Sequence, residues 1–128
     1  MSRIPSVMKN FSKDSAFVTY ESSSGTLDFT LSANFATYSN FEYELLDVRL
    51  HVIGTAATTS ENFTVSLDAN MGSPYDVVFY STDMSEYNDK HYYPDVDLCL
   101  AKDDNLRFQW VNSGKNTYGL AVRWRKLS

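Results

Sequence analysis

Leu46-Asp47-Val48-Arg49-Leu50-His51-Val52-Ile53 is the stretch on which the fold turns. Leu46, Val48, Leu50 and Val52 alternate with Asp47, Arg49 and His51. An extended backbone therefore puts the apolar set on one face and the charged set on the other. A helix would align Tyr43, Leu46, Leu50 and Ile53 but would leave Val48 and Val52 in water, so a half-buried strand is the better solution. Just upstream, Phe41, Tyr43 and Leu45 alternate in the opposite phase. The phase flips at Leu45-Leu46, and a β-bulge is what such a flip requires.

Outward from this strand the same alternation repeats. Upstream, Phe17-Val18-Thr19-Tyr20 leads through the turn cluster Ser22-Ser23-Ser24-Gly25 to Leu27, Phe29 and Leu31, a hairpin or a strand-turn-strand corner. A connection over 32–40 carries Phe35 and Tyr38. Downstream, Phe63, Val65 and Leu67 form a strand that stops at Asn70-Met71-Gly72-Ser73-Pro74, and Tyr75 to Tyr80 forms the next. Segment 82–95 shows no alternation and ends near Pro94, so it reads as the longest loop, where binding surfaces tend to sit. Val96, Leu98 and Leu100, then Leu106, Phe108 and Trp110, then Tyr118, Leu120, Val122 and Trp124 complete the series.

About eight strands with no helix-length periodic segment predict an all-β, eight-stranded antiparallel β-sandwich, jelly-roll-like, over 16–128. An immunoglobulin-type sandwich fits less well, because paired cysteines flanking a central Trp are missing. Phe17, Val78, Tyr80 and Val111 fall opposite their strands' core sets, and together they would form a patch for another subunit. Residues 1–15 match neither repeat and read as an extended N-terminal arm. The arm mixes Ile4, Val7, Met8 and Phe11 with Arg3, Lys9 and Lys13, more apolar than a solvated tail needs, so it is expected to order on a partner.

Composition narrows the function. A 128-residue chain is one domain, able to bury roughly two thirds of its unfolded surface without staples. Cys99 is the single cysteine, which excludes an intrachain disulfide and fits a reducing compartment. No apolar run is long enough to span a bilayer, and residues 1–15 lack the continuous apolar core of a signal peptide or anchor. The net charge of -5 is uneven: +3 over 1–13, two basic against fourteen acidic residues over 14–101, and +4 over 102–128. An acidic middle repels phosphate backbones, so nucleic acid is not an expected partner, and with no run long enough to span a bilayer neither is a membrane. A basic arm docking on an acidic neighbour is the more economical use of the charge.

Catalytic patterns are missing. Cys99 lies between Leu98 and Leu100 without a Gly-rich turn and reads as a small packed residue. There is no Gly-x-Ser-x-Gly elbow, Walker loop or dinucleotide fingerprint. His51 and His91 share no metal-binding spacing, and His51 reads as a solvent-face residue. Asp83, Asp89, Asp95 and Asp97 could hold calcium only outside any EF-hand spacing. The expectation is a chain without catalytic residues, cofactor or metal. Tyr87, His91, Tyr92 and Tyr93 beside carboxylates make 82–95 a candidate ligand loop, since tyrosine rings stack on sugar faces while acids accept hydroxyls. The alternative is that these rings pack on their own sandwich.

Four segments carry a family likeness: Leu46 to Val52, Phe63 to Asp68, Gly72 to Val78, and Asn112 with Thr117 to Arg123. Over 41–125 this pattern resembles small jelly-roll structural proteins of tailed bacteriophage virions, some of which are capsid decoration or cement proteins. The resemblance implies a non-enzymatic, commonly trimeric module in the virion, assembled in the host cytoplasm. Its implied partner is the major capsid protein or another virion protein. A carbohydrate-binding or host-attachment module of a virion, with a glycan as ligand, is the alternative.

Overall fold

The phase flip at Leu45-Leu46 is a bulge. In the computed structural model, which describes residues 16–32, 43–95, 98–101 and 103–126, strand β3 (Tyr43–Val52) shifts register between Leu45 and Asp47. The shift is read against β9 (Tyr118–Lys126), where Leu45 faces Trp124 and Asp47 faces Arg123. Leu46 is the extra residue and sits half-buried, so Tyr43 and Leu45 before it and Val48, Leu50 and Val52 after it all enter one core.

Besides β3 and β9 the elements are β1 (Ala16–Ser23), β2 (Leu27–Ser32), β4 (Asn62–Asp68), a short 3-10 turn (Ser73–Tyr75) and β5 (Val77–Asp83). They continue with β6 (Asp89–Tyr92), β7 (Leu98–Leu100) and β8 (Asn105–Trp110). One sheet runs β1-β9-β3-β6, with β7 also on β3, and the other runs β2-β8-β4-β5. All pairings are antiparallel, and they nest: β1 with β9, β2 with β8, β3 with β6 and β7, β4 with β5. This is the wrapped double Greek key of a jelly roll. β1 and β2 lie in different sheets, so Ser24 to Thr26 is a corner and not a hairpin.

The described strands number nine, not eight. The additional strand, β6, comes from the segment read as a loop. β6 pairs with Val48 to His51 and β7 with Tyr43 to Leu45, so the two share one strand position along β3. Asp89-Lys90-His91-Tyr92 carries little apolar alternation because an edge strand needs backbone pairing on one side only. The four residues singled out as misplaced do not converge. Phe17 stacks on Trp124 with ring centroids 4.7 Å apart, and Tyr80 stacks on Tyr92 at the same separation. A register shift at Val65/Ser66 in the β4–β5 pairing turns both Phe79 and Tyr80 onto the core. Val78 is exposed on β5, and Val111 is exposed in the loop that follows β8. Cys99, expected to be packed, is exposed on β7, because its backbone neighbour Leu100 takes the inward position. The arm residues 1–15, the connection with Phe35 and Tyr38, Phe41, and Val96 and Asp97 lie outside the described residues.

Leu31, Val65, Leu106 and Phe108 from one sheet meet Val48, Leu50 and Val122 from the other, and all are fully buried. Tyr43 joins them and donates its hydroxyl to the carbonyl of Leu31 at 3.2 Å. Burial first, and the Asp104 charge second, push its phenol far above the usual 10. The fold therefore binds the Tyr43 proton more tightly than the unfolded chain does. This stabilisation is fully present below pH 10 and is lost as pH rises toward the folded value, by about 1.4 kcal/mol per pH unit. Burial raises Tyr92 and Tyr118 in the same direction. Thermal melts between about pH 8 and 11.5 are expected to show Tm falling above pH 10, and Tyr43→Phe is expected to flatten that fall.

One end of the sandwich is tied by side chains. Asn112, buried and at φ 52°, donates Nδ2 to the carbonyls of Gly25 and Asn116, each at 2.9 Å, and accepts the Asn116 amide at 3.0 Å. Asparagine tolerates the left-handed region, so one residue turns the β8–β9 loop and fastens it to the β1–β2 corner. Asn88 does the same for the β3–β4 loop, donating to Val52 and Gly54 carbonyls at 3.0 and 2.9 Å.

Candidate functional site

The outer face of the β1-β9-β3-β6 sheet carries the polar chemistry. Register sets two neighbouring rows across it. Val18 lies beside Arg123, and Arg123 beside Asp47. In the next row Tyr20 lies beside Ala121, Ala121 beside Arg49, and Arg49 beside His91. Tyr93 extends the first row past the end of β6. Between Val18 and Tyr20 on one flank and Arg49 and Tyr93 on the other lies a hollow of about 240 Å3, floored by Ala121. It exists because β9 places the small Ala121 outward, between the buried Leu120 and Val122. At Gly119, the next outward residue of β9, an added Cβ would meet no atom of the described residues within 4 Å.

Asp47 was expected in water with Arg49 and His51. It points outward as predicted but is 3% exposed. Arg123 covers it, donating Nε to Oδ2 at 3.0 Å and Nη2 to the same oxygen. His91 Nε2 stands 3.8 Å from Oδ1. Glu44, also nearly buried, accepts from Arg125 Nη2 at 2.7 Å. His51 is exposed as expected, with Nδ1 2.7 Å from Asp89 Oδ1. Arg49 forms no ion pair among the described residues. The hollow therefore holds two guanidinium groups against one carboxylate. Its walls are exposed apolar and aromatic surface: Val18 at 46%, Tyr20 at 74% and Tyr93 at 61%.

The candidate ligand loop is divided by strand alternation. His91 and Tyr93 face outward with ring centroids 4.1 Å apart, whereas Tyr92 turns inward onto Tyr80. Tyr87 sits on the preceding turn with Lys90 Nζ 3.5 Å from its ring centroid. Only His91 and Tyr93 of the four join the outer face at Asp47 and Arg123. Val18, Tyr20, Ala121 and Arg123 had no motif to mark them, because their proximity depends on which strands are neighbours. A signal was present in Gly119-Leu120-Ala121-Val122, where small residues repeat at every outward position. Of the four carboxylates considered for calcium, Asp83 accepts from Ser60 Oγ and the Ser85 amide, Asp89 faces His51, and Asp97 lies outside the described residues. The Ser60 hydroxyl, then the Ser85 amide, hold the Asp83 carboxyl below its usual range. No group of three or more His, Cys, Asp or Glu side chains placed to hold a metal ion occurs among the described residues.

No protein-family model matches this chain, and no curated protein sequence matches it. Among solved structures it is similar to a chain of the acid-stable capsid of Helicobacter pylori bacteriophage KHP30. That match covers 88% of each chain, with 15% identity and a TM-score of 0.53. The core of Drosophila NLP, a pentamer-forming histone-binding protein, is similar over 88% of this chain and 100% of its own, at 13% identity and a TM-score of 0.46. The class defined by the fold is thus the two-sheet antiparallel β-sandwich, in a form that a bacteriophage capsid chain shares. No described helix is long and apolar enough to cross a membrane.

Proposed function

We propose that this chain is a non-enzymatic structural protein of a bacteriophage virion that decorates and cements the head as a homotrimer. Its partner on this reading is the major capsid protein or another virion protein. The observation that carries it is the backbone similarity to the KHP30 capsid chain over 88% of both. The physical logic is multivalency: a symmetric oligomer seated where capsid subunits meet ties neighbours through several weak contacts at once. Charge supports the same reading, since a +3 segment over 1–13 precedes an acidic middle. Ile4, Val7, Met8 and Phe11 would enter an apolar groove of the partner, and Arg3, Lys9 and Lys13 would pair with its surface acids.

An antiserum against the recombinant chain is expected to label intact particles that band with the chain in a density gradient. A chain found wholly in the soluble fraction of a lysate rich in particles would defeat the proposal. Deleting residues 1–13 is expected to leave the melting transition in place and to abolish co-sedimentation with particles. Wild-type occupancy by the truncated form would remove the arm from the attachment mechanism. Light scattering on the eluting protein reads the trimer directly, and a monomeric mass would refute that part.

A further inference from the structure

The geometry points to the hollow on the outer β1-β9-β3-β6 face as a binding site for a terminal sugar ring that carries a carboxylate. Three observations converge. The first is charge. The chain has two basic residues between 14 and 101, and one of them, Arg49, stands at this hollow without an ion pair among the described residues. The buried Asp47 fixes Arg123 through Nε and Nη2, which leaves Nη1 without a hydrogen bond among the described residues. A guanidinium held rigidly by a buried carboxylate and a second one left unpaired form a preorganised receptor for an anion.

The second is the walls. Tyr20 and Tyr93 are well exposed, and aromatic rings at such positions stack on the C–H face of a pyranose while their hydroxyls bind its polar edge. The third is size. The hollow of about 240 Å3 is large enough to seat a single sugar ring. An acidic side chain would satisfy Arg49 yet leave both tyrosine faces unused. The carboxylated ring would address the cations and the tyrosine faces together, and the small Ala121 side chain permits its close approach. The site differs from the tyrosine loop that the sequence suggested, of which it retains Tyr93 as a wall. It does not depend on where the protein resides, so it can fail while attachment to particles stands, and the reverse.

The test is an amide-resolved NMR titration of the full chain with sodium glucuronate, methyl glucoside and N-acetylglutamate amide. Glucuronate is expected to shift the amides of Gly119 and Ala121 saturably, with affinity that falls as salt is raised. Methyl glucoside and N-acetylglutamate amide are expected to bind at least about tenfold more weakly, since each lacks one of the two recognition elements. Arg49→Gln is expected to weaken glucuronate by about tenfold, and Ala121→Leu to abolish its binding by filling the floor. Both positions face outward, so each variant should retain the wild-type pattern of core amide signals. No saturable shift with glucuronate in the wild type, equal response to methyl glucoside, or equal response to N-acetylglutamate amide would each overturn the assignment.

Discussion

Phe108→Ala is expected to lower the unfolding free energy by about 3–5 kcal/mol. Phe108 is fully buried on β8, between Phe29 of β2 and Val65 of β4 in register. Its ring lies 6.0 Å from that of Phe29. Both neighbouring strands are pinned by their ladders, so the walls of the cavity cannot collapse inward, and the full cost of the lost contacts is retained. Against a total stability of about 5–15 kcal/mol for a domain of this size, the loss leaves the variant marginal. Urea unfolding is the measurement, with the midpoint falling by more than about 1 M at an m-value of roughly 1–3 kcal/mol/M. Val78→Ala, on the same sheet but exposed, is expected to stay within about 0.5 kcal/mol of the parent. A Phe108→Ala cost below about 1.5 kcal/mol would mean that the β2-β8-β4 face is not a tightly packed core.

The next largest effect is expected at Arg123. Its replacement by Ala leaves Asp47 Oδ2 without a cation, and the water that enters where the guanidinium lay rehydrates the carboxylate only in part. Breaking a buried pair from one side costs about 3–5 kcal/mol, and because the Arg123 side chain is itself half exposed, solvent screening reduces this to about 2–3 kcal/mol. Adding Asp47→Asn to Arg123→Ala is expected to recover part of the loss, since the charge that needed pairing is gone. Denaturant midpoints of the two single variants and the double variant read this coupling. If Arg123→Ala behaves like an ordinary surface substitution, within about 0.5 kcal/mol, the pair does not hold the centre of the sheet together.

The bulge was legible in the residues because both of its consequences are local. An apolar set in one phase, an apolar set in the other, and two leucines at the junction admit one extended solution with a single buried face. The strand at Leu106 to Trp110 was legible for the same reason, with every second side chain buried. β6 was not, since a short edge strand asks only for backbone pairing and leaves its side chains free to be polar. The inward turn of Phe17, in a strand apolar on both faces, was equally hidden: Val18 and Tyr20 offer as good a core set until Trp124 is known to lie opposite.

The same division runs through the candidate site. Tyr93 and His91 were flagged by composition, but their separation from Tyr92 follows from alternation within a strand that composition did not disclose. Val18, Tyr20, Arg49, Ala121 and Arg123 come from three strands far apart in the chain, and they meet only because β9 inserts between β1 and β3. By itself, the sequence determined that this is an all-β chain wrapped around a two-residue repeat, because the period of burial along an extended backbone is a local property. Tertiary structure alone decided which outward side chains share a surface, since strand order sets side-by-side neighbours and no single strand contains that information.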